Sequence, residues 1–318
     1  MDREKPIVVV SNCLGFCECR YNGQTIPDRF VEGLEPFVNY IKICPEVDIG
    51  LGVPRESVRL ILDNGKYELY QPGSGLIHTE KMDNYAKDFL GKLQRVDGFI
   101  LKGRSPSCGI KDVKVYYGRE KGVGSEKSIG RFAFHVYNYF PHKAIEEEGR
   151  LTNLNIREHF LTRLYTLHRF SFVKEEAKFS KLVDFHADHK YLIMAYNQSK
   201  LKELGKIVAN HEKKQTKVVI DEYESILETV FDTLPRYTNY INTLMHMMGY
   251  FKKELSKKEK EFILGSFQKF KDGKIHLSVP VNLLKGYAIA KDEQYLLRQL
   301  IWNPFPEELL DIKDSGNR

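Results

Sequence analysis

The sequence predicts an α/β domain with a mostly parallel sheet over residues 1–160, followed by an all-α domain over residues 161–318. Up to about residue 150, short apolar runs of strand length alternate with helical patterns, an order typical of a parallel sheet covered by helices. From residue 155 onward, apolar residues recur at spacings of three and four, which is the helical period. All five cysteines lie within the first 108 residues, whereas the excess of positive charge lies in the second half.

The first domain begins with the apolar run PIVVVSN, residues 6–12, which predicts a buried strand ending next to Cys13. The pattern DRFVEGLEPFVNYIKI predicts a helix over 28–43 that stops just before Cys44 and Pro45. Further along, the patterns predict a strand at 57–62, a helix at 79–96, a strand at 97–102, an exposed loop at 121–130 and a closing segment at 140–153.

The second domain is expected to be helical throughout, and the segment at 178–190 is expected to form part of it rather than a flexible linker. Only the last six residues, KDSGNR, have the composition of a disordered tail. The helical patterns are NIREHFLTRLYTLHRF, HKYLIMAYNQSKLKELGKIVAN, YESILETVFDTL, YINTLMHMMGYFKKEL, SKKEKEFILGSFQKF, LSVPVNLLKGYAIA and DEQYLLRQLIWNPFPEELL.

The composition is that of a globular protein of 318 residues, with 42% hydrophobic and 29% charged residues. No apolar run reaches the roughly 20 residues that a membrane span needs, and the start lacks the apolar core of a signal peptide. These features predict a cytoplasmic protein with no membrane partner. Residues 1–150 carry 22 basic against 21 acidic residues, and residues 151–318 carry 27 against 22, so the net charge of +6 lies mostly in the second half.

The cysteines are candidates for a metal site. An odd number of five argues against a disulfide framework. Cys13, Cys44 and Cys108 are 31 and 64 residues apart, which is not the spacing of a zinc ribbon or a ferredoxin. Each follows a predicted strand or helix beside Gly, Pro or Ser, so three thiolates at neighbouring element ends could hold one soft metal centre. The alternatives are ordinary burial, a zinc site or a single cysteine nucleophile.

Four motifs in the first domain resemble, in order, those of the thiouracil desulfidase (TudS-type) family, over roughly residues 5–160. They are SNCLGFCECRYNG (11–23), CPEVDIGLGVPRE (44–56), LKGRSPSCG (101–109) and EEEGRLTNLNIREHF (146–160). The second domain resembles the YbgA-like helical domain. Its matching segments are FHADHKYLIMAY, LGKIVA, NTLMHMMGYFKKEL, VPVNLLKGY and WNPFPEEL. A chain with both domains is similar to the tRNA 2-thiouridine desulfidases.

The resemblance implies a 4Fe–4S cluster that Cys13, Cys44 and Cys108 hold, with one iron lacking a protein ligand. Such an iron can accept the thiocarbonyl sulfur and polarise the C–S bond as a Lewis acid. Water would supply the oxygen, and the reaction would need no net redox change. The implied activity is the non-redox removal of sulfur from 2-thiouridine in tRNA.

The resemblance also implies roles for Glu46 and Ser105. Glu46 would shuttle protons to the base nitrogen or from the attacking water, and a dry pocket would favour its neutral form. Ser105 would orient the substrate or the water by hydrogen bonding. Without the resemblance, Glu46 is better explained as a solvated turn residue and Ser105 as a turn cap.

The chain departs from the family pattern near its start. The family usually has Cys-Leu-Leu-Gly and Arg-Tyr-Asp-Gly, whereas this chain has CLGF from Cys13 and RYNG, with Asn22 at the aspartate position. Cys17 is additional, and Cys19 lies where relatives often have cysteine, so either could serve as a ligand or be buried. Cys13 is preferred because it directly follows the predicted strand.

Thiolated tRNA is the partner that the resemblance implies, and the second half contains lysine-rich segments that suit phosphate contacts, at 251–262, 210–217 and 269–274. Solvated helix faces are the ordinary explanation for such segments. Bases near the reaction centre could be held by His189, Lys190, His246, Tyr250 and Lys252. Two rival functions remain open: desulfidation of free 2-thiouracil, and a non-catalytic RNA-binding protein with a structural metal site.

Overall fold

The structure is a computed structural model that describes residues 4–120 and 122–313. The described chain divides into two units, one of residues 4–164 with 308–313 and the other of residues 165–307. The predicted fold class is confirmed: the N-terminal region is α/β with a parallel sheet, and the C-terminal region is helical.

Among its described residues, the first unit contains two sheets, four complete α-helices and the first part of a fifth. The strands are β1 (Ile7–Ser11), β2 (Asn39–Ile43), β3 (Arg59–Asp63), β4 (Lys66–Gln71), β5 (Leu76–Ile77), β6 (Gly98–Leu101), β7 (Val113–Tyr116), β8 (Ser125–Ser128) and β9 (Ala144–Glu147). The helices are α1 (Arg29–Leu34), α2 (Pro45–Asp48), α3 (Thr79–Lys92) and α4 (Arg131–Tyr139).

The first sheet is entirely parallel, in the order β2-β1-β6-β9. Its central strands, β1 and β6, are buried except at Ile7, as expected for a parallel sheet covered on both faces. From β1 the chain passes to β2 on one side and later to β6 on the other, so the strand order reverses beside β1. Ligands of open α/β sheets bind at such a reversal, beyond the carboxyl ends of the strands.

The second sheet, in the order β5-β4-β3-β7-β8, was not expected from the sequence. Its strands pair antiparallel except for β3 with β7. One hydrophobic core joins both sheets to α3 and α4, with members such as Val9, Leu60, Met82 and Phe132. The sequence therefore gives the parallel layer correctly but misses the short strands at its side.

The prediction of one helix over 28–43 is wrong beyond Leu34. After α1 the chain makes a 3₁₀ turn, Glu35–Phe37, and then forms β2, which pairs with β1 along its whole length. Pro36 cannot donate an intrahelical hydrogen bond and restricts the residue before it, so the helix ends here. Cys44 therefore follows a strand and not a helix.

The predicted loop at 121–130 is also partly wrong, because Ser125–Ser128 forms β8 and pairs antiparallel with β7. Its side chains are polar and half-exposed, so the hydrophobic alternation that identifies a strand is absent. The other predicted elements of this region match β1, β3, α3 and β6, within a few residues at their ends.

The second unit is a helical array. It begins within α5 (Leu154–Glu176), whose second half belongs to this unit. The helices that follow are α6 (Phe179–Tyr196), α7 (Gln198–Ala209), α8 (Thr216–Val230), α9 (Tyr237–Met248), α10 (Lys257–Lys271), α11 (Ser278–Ala290) and α12 (Gln294–Leu297). Helix α6 lies at the centre: Tyr191–Tyr196 is an unbroken buried run, and a helix that is buried all round must be surrounded by others.

Two predictions at the end of the chain have different outcomes. Of the helical pattern predicted after residue 291, only α12 and a 3₁₀ turn at Glu307–Leu309 form among the described residues. Pro304 and Pro306 prevent a continuous helix through the segment between them. The disorder predicted for KDSGNR falls, except for Lys313, outside the described residues. Within residues 4–120 and 122–313, no helix combines the length and apolarity needed to cross a bilayer.

Candidate active site

A cavity of about 330 Å³ lies at the carboxyl ends of β1, β2 and β6. Its volume is at the lower end of the range of small-molecule sites. The lining residues come from the segments that follow these three strands and from the loop before β3. They include Ser11, Cys13, Cys19, Arg20, Tyr21, Cys44, Glu46, Arg55, Lys102, Arg104, Ser105 and Cys108.

The structure brings the three predicted ligand cysteines to this one cavity. Cys13 follows β1 by two residues, Cys44 directly follows β2, and Cys108 ends the loop that leaves β6. All three are free thiols; the charge of Cys44 raises the pKa of Cys13, and the charges of Cys13 and Cys44 raise that of Cys108. A set of soft sulfur donors around one enclosed space suits an iron–sulfur centre or another thiophilic metal.

The thiols are not arranged around a single ion. Zinc bound tetrahedrally at about 2.3 Å would hold its sulfur ligands roughly 3.8 Å apart. Within residues 4–120 and 122–313, no three Cys, His, Asp or Glu side chains form a group that could hold one metal ion. Cys13, Cys44 and Cys108 instead line the wall of one cavity.

Burial and mutual repulsion set the ionisation of the thiols. Burial, with the nearby charge of Cys44, raises the pKa of Cys13 to about 11, and burial holds the pKa of Cys108 well above its usual value. Cys44 differs, because a hydrogen bond from the Cys19 thiol lowers the pKa of Cys44 to about 7 and raises that of Cys19. Cys44 therefore ionises more readily than Cys13 or Cys108.

Glu46 is held at the cavity wall by two partners. Arg55 donates to its Oε2 from Nη2 at 2.7 Å and from Nε at 3.1 Å, and the Ser107 hydroxyl donates to its Oε1 at 3.0 Å. The Arg55 and Glu46 side chains are only 4% and 13% exposed, so this ion pair is well shielded from water. Arg55 also donates to the carbonyl oxygens of Cys19 and Gly52, which fixes its position.

Both carboxyl oxygens of Glu46 therefore accept hydrogen bonds, one from a guanidinium and the other from a hydroxyl. A carboxyl held in this way at the cavity wall suits general acid–base chemistry. Neither Arg55 nor Ser107 was singled out from the sequence. Both lie inside the motifs that carry the resemblance: Arg55 is nine residues after Glu46, and Ser107 is one residue before Cys108. The signal that could have identified them is their residue type, since an arginine and a serine can both donate hydrogen bonds to a carboxylate.

Ser105 both caps the cysteine loop and lines the cavity. Its Oγ accepts from the backbone N–H of Ser107 at 3.2 Å and of Cys108 at 3.1 Å. A serine hydroxyl has two acceptor positions and one donor. The two acceptor positions are taken by the loop, so the O–H remains to donate to a substrate or a water in the cavity.

Gly130, at the start of α4, fixes the Cys108 loop by close approach. A Cβ at this position would lie 2.4 Å from the carbonyl oxygen of Ser107 and 3.0 Å from the amide nitrogen of Cys108. The N–H groups of Phe132 and Ala133 also donate to the Ser107 carbonyl, at 2.9 and 3.1 Å. The first turn of α4 therefore supports the loop directly.

We expect Gly130→Ala to cost about 1–3 kcal/mol, as other overpacking substitutions do, and to lower the melting temperature by about 2–4 °C per kcal/mol. It should also reduce the metal retained after anaerobic purification, because Cys108 would be displaced. Gly149→Ala is the matched control, since nothing lies within 4 Å of a Cβ there. Equal melting temperatures and metal contents in the two variants would contradict the close approach.

The remaining residues near the start of the chain have distinct positions. Cys19 is buried and lines the cavity, whereas Cys17 is exposed and does not. The side chain of Asn22 donates to Gln24 across a turn, at 2.7 Å, and does not line the cavity.

The second unit places the residues proposed for RNA contact in different environments. His189 is 3% exposed, donates to the Phe185 carbonyl and stacks on the Phe185 ring, so it is a core residue. Lys190 lies over the ring of Tyr295, which stacks on the exposed Tyr250 at a centroid distance of 6.0 Å. His246 and Lys252 are exposed.

Comparisons with known proteins agree with this division of the chain. The family model described as 2-thiouracil desulfurase matches residues 8–148. A second model, described as a protein of unknown function (DUF1722), matches residues 190–306. Each match falls within one of the two structural units.

Individual relatives resemble one half of the chain each. The uncharacterized protein YbgA of Escherichia coli is 23% identical over 158 residues, 49% of this chain and 93% of that protein. The uncharacterized protein YbbK of Bacillus subtilis is 31% identical over 120 residues, 32% of this chain and 73% of that protein.

Among solved structures, the [4Fe-4S]-dependent thiouracil desulfidase TudS is 31% identical. The match covers 47% of this chain and 93% of that one, with a TM-score of 0.36. The first half of this chain thus covers about three quarters of YbbK at 31% identity. The chain therefore belongs to the 2-thiouracil desulfurase family, and its second half carries a DUF1722 domain.

Proposed function

We propose that the protein is a 4Fe–4S-dependent desulfidase that converts 2-thiouridine in tRNA to uridine. The thiocarbonyl and one water give a carbonyl, hydrosulfide and a proton, so the reaction needs no oxidant or reductant. The observation that carries this proposal is the convergence of Cys13, Cys44 and Cys108 on one cavity beside Glu46. The solved thiouracil desulfidase at 31% identity is [4Fe-4S]-dependent, and we extend that dependence to this chain.

Cys13, Cys44 and Cys108 would hold the cluster, and three thiols leave one of its four iron atoms without a protein ligand. When bound, such a cluster supplies a Lewis acid for the thiocarbonyl sulfur. Beside the thiols, the cavity of about 330 Å³ is also lined by polar and charged residues, among them Glu46 and Ser105, that could contact a substrate group.

The chain's own residues manage the protons and the orientation of the substrate. Glu46 accepts a proton from the attacking water and returns it to a ring nitrogen of the base. Arg55 and Ser107 fix the direction of the carboxylate, so that little reorganisation is needed during the reaction. The Ser105 O–H, whose oxygen is fixed by two backbone donors, directs the substrate carbonyl or the water.

The proposal that tRNA is the partner rests on the second unit and on charge. Residues 151–318 carry the excess of basic residues. On α10 the lysines are Lys257, Lys258, Lys260, Lys269 and Lys271. Of these five lysines, only Lys257 has an ion-pair partner among the described residues, namely Glu261 at 4.0 Å. The positive charges of the other four lysines are therefore available to bind phosphates. We place the protein in the cytoplasm, because all five cysteines are free thiols and tRNA is found there.

The test is anaerobic incubation of cluster-loaded protein with a mixed tRNA pool, followed by mass spectrometry of the nucleosides. We expect 2-thiouridine to fall, uridine to rise and hydrosulfide to appear in equal amount. Free 2-thiouracil at equal concentration should be processed more slowly, and tRNA should compete with it.

Free 2-thiouracil is the rival substrate, because the matching family model names that base. Faster processing of the free base, without competition by tRNA, would favour it. Colour tests the non-catalytic alternative: anaerobically purified protein should be brown and contain iron and sulfide. A colourless zinc protein that binds tRNA in a salt-sensitive way would favour an RNA-binding module.

A further inference from the structure

Three consecutive glutamates lie at the end of β9, and Glu147 differs from its two neighbours. Glu146 pairs with Arg150 at 2.8 Å, and Glu148 pairs with Lys102 at 2.5 Å. Among the described residues, Glu147 has no basic partner at ion-pair distance, although it is only 9% exposed. A buried carboxyl without a cationic partner is costly, and Glu147 takes no part in the proton transfer proposed above.

The Glu147 carboxyl is held in an interior position. The backbone is fixed, because the Glu147 carbonyl oxygen accepts from the N–H groups of Arg150 and Leu151 at 3.0 and 3.2 Å. Oε2 of the side chain is buried and has no hydrogen-bond partner among the described residues. Burial, with the charges of Glu148 and Glu146, raises the pKa of the Glu147 carboxyl, so its neutral form is favoured. An apolar side chain would avoid the cost of an unsatisfied buried oxygen.

Glu147 contacts both ends of the Cys108 loop, residues 102–110. The register of the sheet pairs Glu147 with Leu101, the last residue of β6, directly before this loop. At the start of the loop, a Cβ on Gly103 would lie 3.0 Å from Cδ of Glu147 and 3.2 Å from each carboxyl oxygen. At the end of the loop, the carboxyl accepts a hydrogen bond from the N–H of Ile110. One side chain thus links the two ends.

The glycine at position 103 is explained by this contact and not by its backbone. Its φ lies outside the left-handed region, so alanine could adopt the same conformation if space were available. Glu148 also fixes this residue, because its carboxylate accepts from Gly103 N at 2.7 Å. Gly103 itself lines the cavity, so the Glu147 carboxyl lies directly behind the cavity wall.

We infer that Glu147 is a positioning residue for the Cys108 loop. Its carboxyl fixes the distance between Gly103 and Ile110, and it thereby holds the Cys108 thiol and the Ser105 hydroxyl at the cavity. Glu147 acts through this loop and does not touch the substrate. An apolar side chain of similar size would fill the space but would leave the Ile110 N–H without this acceptor. The inference rests on the proposed function, in which Cys108 is a cluster ligand and Ser105 directs the substrate.

The first test separates the hydrogen bond to Ile110 from the stability of the fold. Glu147→Gln keeps an acceptor oxygen in nearly the same shape, so its iron content, visible absorbance and rate of hydrosulfide release per bound cluster should match the wild type. Glu147→Leu has no acceptor. We expect its melting temperature to equal or exceed that of Glu147→Gln, because no unsatisfied side-chain oxygen stays buried. Its iron content should nevertheless fall, and its rate per bound cluster should fall about tenfold, the effect of one hydrogen bond.

A merely structural role would instead make iron content and rate follow the melting temperature. The control for the loss of one carboxylate is Glu146→Gln. The hydrogen bonds of Glu146 go to Arg150 and to the N–H of Glu147, so this variant should retain its iron.

The second test examines the contact between Glu147 and Gly103 and needs no cluster. Gly103→Ala should lower the melting temperature by about 5 °C in the wild type, because the new methyl group would overlap the carboxyl. In a Glu147→Ala background the same change should lower it much less, since the methyl group enters vacated space. Gly149→Ala, where nothing lies within 4 Å of a Cβ, should have the same effect in both backgrounds.

The outcomes separate this inference from the proposed function. Equal iron content and equal rate per cluster in Glu147→Leu and Glu147→Gln would overturn the positioning role, and so would equal effects of Gly103→Ala in the two backgrounds. A loss of rate in Glu147→Gln with iron retained would also overturn it, because the carboxyl would then take part in the chemistry. Cluster-loaded wild-type protein that removes sulfur from no substrate would refute the proposed function, and iron content and absorbance of the variants would still decide the role of Glu147.

Discussion

Replacing Cys108 with serine is expected to abolish both iron retention and desulfidation. The hydroxyl is a harder and much less acidic donor than a thiol, so it ligates iron poorly. Cys108 is buried at the end of a loop that Ser105 and Gly130 fix, and no other cysteine follows β6. Iron and sulfide content, visible absorbance and the rate of hydrosulfide release from thiolated tRNA measure the effect.

Cys13→Ser and Cys44→Ser should have the same effect as Cys108→Ser, because each thiol comes from a different strand end and none can replace another. Cys17→Ser is the matched control, since Cys17 is exposed and does not line the cavity. Circular dichroism and melting temperature should show that all variants remain folded. Full iron content in Cys108→Ser would refute the proposed ligand set.

Cys19→Ser distinguishes the two candidate thiols near the start of the chain. Cys19 lines the cavity, and a hydrogen bond from its thiol lowers the pKa of Cys44. We expect Cys19→Ser to retain most of its iron, because a serine hydroxyl can also donate that hydrogen bond. Loss of iron in Cys19→Ser, with retention in Cys13→Ser, would assign the ligand role to Cys19 instead.

The sequence predicted the positions of Cys13 and Cys108 because the strands before them are strongly apolar. Val8, Val9 and Val10 in β1 and the run Gly98–Leu101 are buried on both sides, and such strands are visible in a single sequence. The rule that ligands gather at the carboxyl ends of parallel strands then placed both thiols at one edge of the sheet. The two thiols do line the same cavity.

The environment of Cys44 could not be predicted in the same way. Its strand, NYIKI, has only one fully buried residue, Ile43, and follows a short helix whose apolar spacing continues into it. Local pattern therefore favoured a longer helix, and only pairing with β1, more than 25 residues away, makes β2 a strand. The same limit hid Ser107 and Arg55, because contacts of Glu46 with residues up to 61 positions away are set by the tertiary fold.

Glu46→Gln is expected to lower kcat at least about 100-fold while leaving the iron content unchanged. General acid–base groups contribute about 10²–10⁴-fold to rates, so the loss is about 2.7–5.4 kcal/mol of transition-state stabilisation. Glutamine has nearly the same shape: its amide oxygen can still accept from Arg55, and its NH₂ can donate to the Ser107 hydroxyl. The variant therefore removes the proton-accepting group but keeps the local packing.

Arg55 complicates the interpretation of this variant, because Glu46→Gln leaves its charge without a carboxylate at a site where the arginine side chain is 4% exposed. Removing one partner of a buried ion pair costs about 3–5 kcal/mol. Here the cost should be smaller, since Arg55 keeps its hydrogen bonds to the carbonyl oxygens of Cys19 and Gly52. The melting temperature measures this cost separately from kcat.

Glu46→Asp supplies the matching control, because it keeps the charge beside Arg55 but withdraws the carboxylate by one methylene. We expect the melting temperature of Glu46→Asp to be closer to the wild-type value than that of Glu46→Gln is. We expect the kcat of Glu46→Asp to lie between those of the wild type and Glu46→Gln. If Glu46 transfers protons, kcat should depend on whether a carboxylate is present and how far it extends into the cavity. If Glu46 has only a structural role, kcat should instead correlate with the melting temperatures of the variants. If Glu46→Gln retained the full rate with a complete cluster, Glu46 would be a structural partner of Arg55, and the proton would have to be transferred by another group in the cavity.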